Sequence, residues 1–276
     1  MKAQRSVLIT GSSSGIGRCV ADGLKKRGYR VFASARRVED LTELAALGCE
    51  VVQLDLASSS SIRHAFSAVM EKTGNTLYAL FNNGAYGQPG AVEDLGRDAL
   101  REQFEINLFG THELTTLAVP VMRRQGYGRI IQNSSLLGFV ALKYRGAYTA
   151  TKFALEGLTD TLRMELAGSG VCVSLIEPGP ILSGFRKNAW RAYRRNIQPS
   201  GSFHEGTYAA LEERLQMDGP VVPFTLGPEA VLKRVIYALE SRHPRVRYRV
   251  TVPAGLFACL KRVLPDRWLD KVLARI

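Results

Sequence analysis

The sequence predicts one α/β domain in which a doubly wound parallel sheet is covered by helices on both faces. Apolar, β-branched runs alternate with stretches of helical hydrophobic spacing, and this alternation is typical of parallel sheets. A glycine-rich turn joins the first apolar run to the first helical stretch. The length of 276 residues suits a single domain of this class, and no repeat, linker or low-complexity tract divides it.

The individual elements follow from the same periodicities. Six strands are predicted near residues 6–10, 29–34, 50–54, 77–82, 128–134 and 171–176. Two long helices are predicted at about 99–124 and 147–167. The domain spans 1–276 and includes a substrate lid at about 182–226 and an amphipathic tail at about 254–276.

The first strand ends in a glycine turn with the features of a pyrophosphate site. Helical spacing resumes directly after Gly11-Ser12-Ser13-Ser14-Gly15-Ile16-Gly17. Glycines permit the tight turn and the close approach of the backbone, and the free N–H groups of a helix start attract an anion. We therefore expect a Rossmann-type fold whose dinucleotide contacts include Gly11, Ser13, Ser14, Gly15, Ile16 and Gly17.

A tyrosine and a lysine one helical turn apart form a second candidate site. Tyr148 and Lys152 share one face of the predicted helix, and Ser135 precedes them. A free phenol titrates near ~10, and a neighbouring ammonium favours its ionised form. The spacing therefore predicts an acid/base catalyst with a lowered pKa. Such a pair is common by chance on helices, and the glycine turn is what gives it significance.

From about Val7 to Ile181 the chain resembles the short-chain dehydrogenase/reductase family. Its glycine spacing is similar to the family's TGxxxGxG signature, and Asn82-Asn83-Gly84-Ala85 resembles the NNAG element with the last two residues exchanged. The active-site residues of the family are matched by Asn107, Ser135, Tyr148 and Lys152. Glu177-Pro178-Gly179-Pro180-Ile181 matches its PG element. The resemblance implies further cofactor contacts at Asn83, Gly84, Tyr148, Lys152, Pro178, Gly179 and Ile181, and a homodimer or homotetramer.

The end of the second strand bears on the choice between NAD and NADP. Ser34-Ala35-Arg36-Arg37 has no carboxylate for a ribose 2′-hydroxyl, and Arg36 stands where NADP-using relatives carry an arginine. We expect NADP (NADPH) bound by Arg36 and Arg37; the alternative is that both begin a solvated loop. Asp55-Leu56 resembles the pair that frames the adenine, and the alternative is an ordinary turn acid.

In the mechanism that the resemblance implies, Ser135 and Tyr148 hold a carbonyl oxygen while the nicotinamide gives its hydride to the carbon. Tyr148 donates the proton. Lys152 lowers the pKa of the tyrosine and binds the nicotinamide ribose, and Asn107 steadies a water that connects the lysine to solvent. Ser134 is adjacent to Ser135, but the family spacing selects Ser135.

The segment 182–226 is expected to select the substrate. Its first half alternates basic with aromatic residues, namely Arg186, Lys187, Arg191, Arg194 and Arg195 with Phe185, Trp190 and Tyr193. One interpretation is a flexible, basic, aromatic lid, which would favour an acidic or amphiphilic substrate. The other is a helix whose aromatic stripe packs on the protein while its charges face water.

The C-terminal region is basic and amphipathic. Four arginines, at positions 242, 245, 247 and 249, precede apolar residues at helical spacing, namely Leu256, Phe257, Leu260, Val263, Leu264, Trp268, Leu269, Val272, Leu273 and Ile276. A tail of this kind lies in a membrane interface, or it covers the protein's own core or a partner subunit. Both interpretations remain open at this stage.

Within the family, Ser174–Ile181 and the tail resemble the branch of retinol and 17β-hydroxysteroid dehydrogenases and bacterial NADP-dependent aldehyde reductases. This implies a hydrophobic aldehyde, ketone or secondary alcohol as substrate, with reduction as the expected direction. The alternatives are a 3-oxoacyl thioester reductase and a non-catalytic NADP-binding regulator. A regulator would not need the full Asn, Ser, Tyr and Lys set.

Composition and charge limit the classes of binding partner and the cellular compartment that we expect. The formal charge of +12 attracts nucleic acid, anionic lipid and acidic metabolites alike, but no nucleic-acid recognition motif is found, so we expect no nucleic-acid partner. The four cysteines lack zinc spacing and disulfide density, so we expect no metal and a cytoplasmic location. The first strand starts too early for a signal peptide, and no apolar run reaches the ~18 residues of a spanning helix.

Overall fold

The computed structural model describes residues 4–276 and contains one parallel sheet. Within these residues seven strands lie in the order β3-β2-β1-β4-β5-β6-β7. Their bounds are β1 Ser6–Ile9, β2 Arg30–Ala35, β3 Glu50–Gln53, β4 Ala79–Asn82, β5 Gly128–Asn133, β6 Val171–Glu177 and β7 Arg247–Arg249. The six strands predicted from sequence are confirmed, with ends that differ by one or two residues.

Helices cover both faces of the sheet. The longer elements are α1 Gly15–Lys26, α2 Val38–Ala46, α3 Ser59–Thr73, α4 Arg97–Phe104, α5 Gly110–Gln125, α6 Gly146–Glu165, α7 Phe185–Asn196, α8 Glu205–Gln216, α9 Glu229–Glu240, α10 Val252–Val263 and α11 Asp266–Leu273. On one face, α1, α2 and α9 bury Val20, Leu44 and Val235 against the strands. On the other, α3 and α5 bury Phe66 and Leu114. The fold is therefore doubly wound and of Rossmann type, as the sequence predicts.

The long helix predicted at 99–124 is interrupted in the structure. Helices α4 and α5 are joined through a wider π-helical turn at Glu105–Phe109, with Asn107 at its centre. Gly110 follows this turn because a Cβ there would lie 1.9 Å from the Leu56 carbonyl oxygen. Turns of this type inside helices often occur at functional sites.

The seventh strand was not predicted. The sequence analysis treated the arginines at 242–249 only as a basic cluster, whereas Arg247–Arg249 pairs in parallel with the end of β6. The strand has three residues, and two of them are arginines, so it lacks the apolar run that marks a buried strand. Both arginines form ion pairs with Glu177 of β6.

The two C-terminal helices pack on the loop that follows β5. Leu269 and Leu273 of α11 are buried with Val140, and Phe257 and Leu260 of α10 contact the same cluster. Part of the predicted apolar tail therefore covers the protein itself. None of the helices within residues 4–276 has both the length and the apolar character needed to cross a bilayer.

Candidate active site

The predicted site residues converge on one edge of the sheet. Parallel strands bring all their carboxyl ends to the same edge, and ligands of open α/β sheets bind there. The glycine turn follows β1, the Asn83 loop follows β4, Ser135 follows β5, and Pro178 follows β6. Helix α6 places Tyr148 and Lys152 beside these loops.

The glycine turn is packed so closely that side chains are excluded. Gly11 has a φ of +65°, and a Cβ there would lie 2.7 Å from the Gly84 Cα. A Cβ at Gly17 would lie 2.2 Å from the Gly11 carbonyl oxygen. Helix α1 begins with no side-chain cap from Ser14 and no acid in its first turn, so its N–H groups remain available to an anion. This cradle fits the pyrophosphate of a dinucleotide.

Asn83 fastens the loop after β4 to the glycine turn. Its Nδ2 donates to the carbonyl oxygens of Thr10 and Gly11 at 3.0 and 3.1 Å. The N–H groups of Asn83 and Gly84 both donate to the Thr10 hydroxyl at 2.8 Å. The exchange of Gly and Ala in the NNAG-like element is tolerated, because this loop still closes on the glycine turn.

Asn133 links the lysine to the same network. The Lys152 Nζ donates to the Asn133 carbonyl oxygen at 2.7 Å, and Asn133 Nδ2 donates to Asn83 Oδ1 at 3.0 Å. The sequence analysis did not select Asn133. Its position at the end of β5, two residues before Ser135, was the available signal.

The phenol of Tyr148 is buried beside Ser135. Burial raises the pKa of Tyr148 to about 12, and a hydrogen bond from the Ser135 hydroxyl only partly opposes this. The prediction that Lys152 lowers the pKa of this tyrosine is wrong for this structure. The ammonium donates to Asn133 and lies 5.5 Å from the centre of the tyrosine ring, so desolvation of the phenolate dominates.

Burial also lowers the pKa of Lys152, to about 8, while Glu156 one turn further along α6 raises it. The lysine and the tyrosine are thus displaced in opposite directions by the same cause, loss of solvent from the charged form. Near neutral pH the phenol stays protonated and can donate, and the lysine stays mostly charged.

Asn107 does not contact the lysine through its side chain. Its Oδ1 accepts from the Tyr86 N–H at 3.1 Å, and its Nδ2 donates to the Tyr86 carbonyl oxygen at 2.9 Å and to the Thr151 hydroxyl at 3.3 Å. The amide therefore fixes the loop after β4 against α6. Its role in a proton route stays a prediction.

The two arginines after β2 differ in their surroundings. Arg37 forms a bidentate ion pair with Asp40, at 2.9 and 2.7 Å. Arg36 is exposed and forms no ion pair within the part of the chain that the structure describes. Arg36 can accept a 2′-phosphate directly, whereas Arg37 would first have to exchange its partner.

The remaining cofactor candidates line the same edge. Asp55 Oδ1 accepts from the Ala57 N–H at 3.0 Å, as a turn acid does, and Leu56 is buried against Gly84. The Pro178 carbonyl oxygen accepts from the Leu136 N–H at 2.8 Å. Ile181 pairs with Leu226 in an isolated bridge, which ties the start of the 182–226 segment to its end.

The 182–226 segment contains two ordered helices, α7 and α8, and not only a loop. Tyr193 and Tyr208 are buried between them, and Trp190 stacks on Tyr193. The cations Lys187, Arg191, Arg194 and Arg195 face solvent. The interpretation with a packed aromatic stripe is therefore confirmed for α7. Phe185, at its start, meets the Tyr148 ring edge to face at 5.3 Å and forms an apolar wall of the site.

A partly buried ionic cluster lies behind helix α6. The Arg247 guanidinium contacts Glu156 at 3.1 Å, Asp160 at 2.6 Å and Glu177 at 3.0 Å. The cluster joins α6 to β6 and β7, and sequence reasoning missed it because these residues are distant along the chain.

Comparisons with known proteins agree with this geometry. The family model described as short chain dehydrogenase matches residues 5–194. The chain is 40% identical over 98% of its length, and 94% of the relative's, to the uncharacterized oxidoreductase YbbO of Escherichia coli K12. It is 33% identical to human retinol dehydrogenase 5, over 97% of this chain and 87% of that protein. A solved structure of actinorhodin polyketide ketoreductase with NADPH matches with a TM-score of 0.75 and 27% identity, over 92% and 98% of the two chains.

Proposed function

The chain belongs to the short-chain dehydrogenase family and is an oxidoreductase of alcohol and carbonyl groups; we propose that it reduces hydrophobic aldehydes or ketones with NADPH. One observation carries the proposal. A continuous chain of hydrogen bonds runs from Lys152 through Asn133 and Asn83 to the glycine turn, beside the buried Tyr148 and Ser135 pair. The site thus joins a pyrophosphate cradle to a proton donor.

The roles of the residues follow from their environments. The bound nicotinamide supplies the hydride. The Ser135 hydroxyl donates a hydrogen bond to the substrate oxygen, and Tyr148, which burial keeps protonated, transfers a proton to that oxygen. Lys152 is a charged donor close to the tyrosine, able to bind a ribose hydroxyl and to return a proton.

Two features support NADPH and an apolar substrate. Within residues 4–276 Arg36 has no ion-pair partner, and it follows β2, where the adenine ribose of a dinucleotide would bind. No carboxylate follows β2 directly. Phe185 against Tyr148 gives the site an apolar wall. The name of retinol dehydrogenase 5 is consistent with a hydrophobic substrate.

We also propose a homodimer or homotetramer in a cytoplasmic, reducing compartment. Helix α6 exposes apolar side chains that a partner subunit would cover, namely Phe153, Leu158 and Met164. The cysteines at 19, 49, 172 and 259 are free thiols, which supports a reducing environment.

The decisive experiment compares Tyr148→Phe with the parent enzyme, using NADPH and a panel of long-chain aldehydes. Loss of a positioned proton donor should lower kcat about 10²- to 10⁴-fold. Ser135→Ala should also lower kcat. Substitution of the neighbouring residue, Ser134→Ala, is the matched control and should lower kcat much less. Near parental turnover of Tyr148→Phe would contradict the proposal.

A 3-oxoacyl thioester reductase is the second candidate. The solved polyketide ketoreductase supports it, as do the solvent-facing cations of α7, such as Arg191 and Arg194, which could dock an acidic carrier. Steady-state assays with free aldehydes against acyl thioesters separate the two. A higher kcat/KM for the thioesters would favour this candidate.

A further inference from the structure

Helix α10 carries apolar side chains on its outward face. Ala254 and Ala258 are buried against the protein. On the opposite face, Val252, Leu256 and Val263 are 62%, 51% and 72% exposed. A surface helix of a globular protein normally turns charged or polar residues outward. Helix α10 is therefore apolar on both sides.

Helix α11 follows α10 in the chain and carries two rows of side chains on its own outward side. Leu269 and Leu273 hold the helix to the protein. One outer row is apolar and aromatic, and the adjacent row is basic. Their members are spaced four residues apart, Trp268, Val272 and Ile276 in the first and Arg267, Lys271 and Arg275 in the second. Within α11, which ends at Leu273, residues at this spacing lie on one helical face, and Arg275 and Ile276 directly follow the helix. Trp268 is 64% exposed.

We propose that these two outward faces, together called the tail surface, bind the surface of an anionic lipid bilayer. Exposed apolar side chains beside a tryptophan and a row of cations are the combination that helices lying in a membrane interface use. Residues 252–276 contain five Lys or Arg and two Asp. The charge complements acidic headgroups, and the apolar rows reach the acyl boundary.

The charge of the tail surface favours a bilayer over a second copy of the chain. Two copies that meet through this face would bring like charges together, which costs free energy. An anionic bilayer instead neutralises every cation of the row and covers the apolar stripe at the same time. The tail surface is also distinct from the exposed apolar residues of α6.

The tail surface lies one layer away from the active site. Leu260 of α10 packs in one cluster with Leu136, which follows Ser135. A Cβ at Gly179 would lie 2.1 Å from the hydroxyl of Thr251, which caps α10. Docking would therefore hold the site close to apolar carbonyls dissolved in lipid. This last link rests on the proposed function, whereas the docking itself does not.

Vesicle sedimentation of the full chain tests the docking. The vesicles are phosphatidylcholine alone or phosphatidylcholine mixed with phosphatidylglycerol, each at low and high salt. We expect binding to the mixed vesicles that weakens at high salt. One juxtamembrane cation contributes about fivefold. The triple variant Arg267→Gln, Lys271→Gln, Arg275→Gln should thus bind about 100-fold more weakly.

A matched control removes three exposed cations elsewhere, as Lys72→Gln, Arg97→Gln and Arg124→Gln. Its binding should stay within a few-fold of the parent, while Trp268→Ser should weaken binding and abolish any blue shift of emission on vesicles.

Three results would overturn the proposal. The first is no binding of the parent chain to mixed vesicles. The second is an equal loss of vesicle binding in the control and tail variants, which would mean that the overall positive charge of the protein, and not the tail surface, binds the vesicles. The third is a change of oligomeric state, without lipid, in the tail variant alone, which would assign the surface to a second copy. NADPH-dependent turnover of a short, water-soluble aldehyde should be unchanged in every variant, so failure of docking and failure of the proposed function are separable.

Discussion

Replacement of Arg247 by methionine tests the partly buried ionic cluster behind helix α6. The guanidinium is the shared partner of three carboxylates, and two of them, Glu156 and Glu177, have side chains only 10% and 1% exposed. Methionine keeps much of the side-chain volume but removes the cation. The two carboxylates then stay buried without their main partner.

Removing one partner of a buried ion pair costs about 3–5 kcal/mol of the free energy of unfolding. The entropy of unfolding is about 2.1 cal/mol/K per residue, or about 0.6 kcal/mol/K for this chain of 276 residues. Arg247→Met should therefore lower Tm by about 5–9 °C.

The loss should depend on pH through Glu177. Burial raises the pKa of Glu177 to about 7 in the folded protein, against about 4.3 in the unfolded chain. A raised carboxyl pKa means that the folded state binds the extra proton. Its contribution is present below the unfolded pKa and is lost as pH rises through the folded pKa. Without Arg247 the carboxylate is stabilised less, so the fall in Tm should be larger above pH 7 than near pH 5.

Calorimetry at both pH values measures the effect. Arg242→Met, an exposed neighbour in the same basic stretch, is the matched control and should change stability by less than about 0.5 kcal/mol. Adding Glu177→Gln to Arg247→Met should restore part of the loss, since it removes a buried charge. A Tm of Arg247→Met equal to that of the control, or a loss independent of pH, would refute this reasoning.

Three further predictions concern the cofactor, the proton and the backbone. Arg36→Ala should raise the KM for NADPH about 10- to 100-fold, through loss of a charge-assisted hydrogen bond, and leave the KM for NADH unchanged; equal effects on both would contradict the assignment. Alcohol oxidation needs ionised Tyr148, whose pKa burial raises, so initial rates of oxidation should increase from neutral to alkaline pH while those of reduction should not. Gly110→Ala, whose Cβ would lie 1.9 Å from the Leu56 carbonyl oxygen, should cost about 1–3 kcal/mol in urea unfolding.

Much of the site was predictable because its signals are local. The turn from Gly11 to Gly17 needs glycines at fixed positions, and the Tyr148 and Lys152 pair needs only one helical turn. Strand periodicity then placed both at the same edge of the sheet. Asn133 was harder to predict, since it binds Lys152 through its backbone carbonyl, which any residue could provide; only its side-chain bond to Asn83 and its place at the end of β5 distinguish it.

Sequence patterns did not predict the elements that depend on contacts between residues far apart in the chain. Strand β7 exists because Arg247 and Arg249 meet Glu177 of β6, and nothing near these arginines in the chain shows that carboxylate. The π-helical turn around Asn107 likewise depends on the close approach of Gly110 to Leu56, across α5 and the loop after β3.

The sequence by itself determined the family, the parallel sheet, the glycine turn and the Tyr148 and Lys152 pair, because each depends on spacings within a few residues. Only the tertiary structure decided the protonation of that pair. The pKa of Tyr148 is raised and that of Lys152 is lowered because folding removes water from both groups, and burial is a property of the whole fold. It also decided that half of the tail packs on the protein while the other half stays exposed, since helical spacing shows two faces and not what covers them.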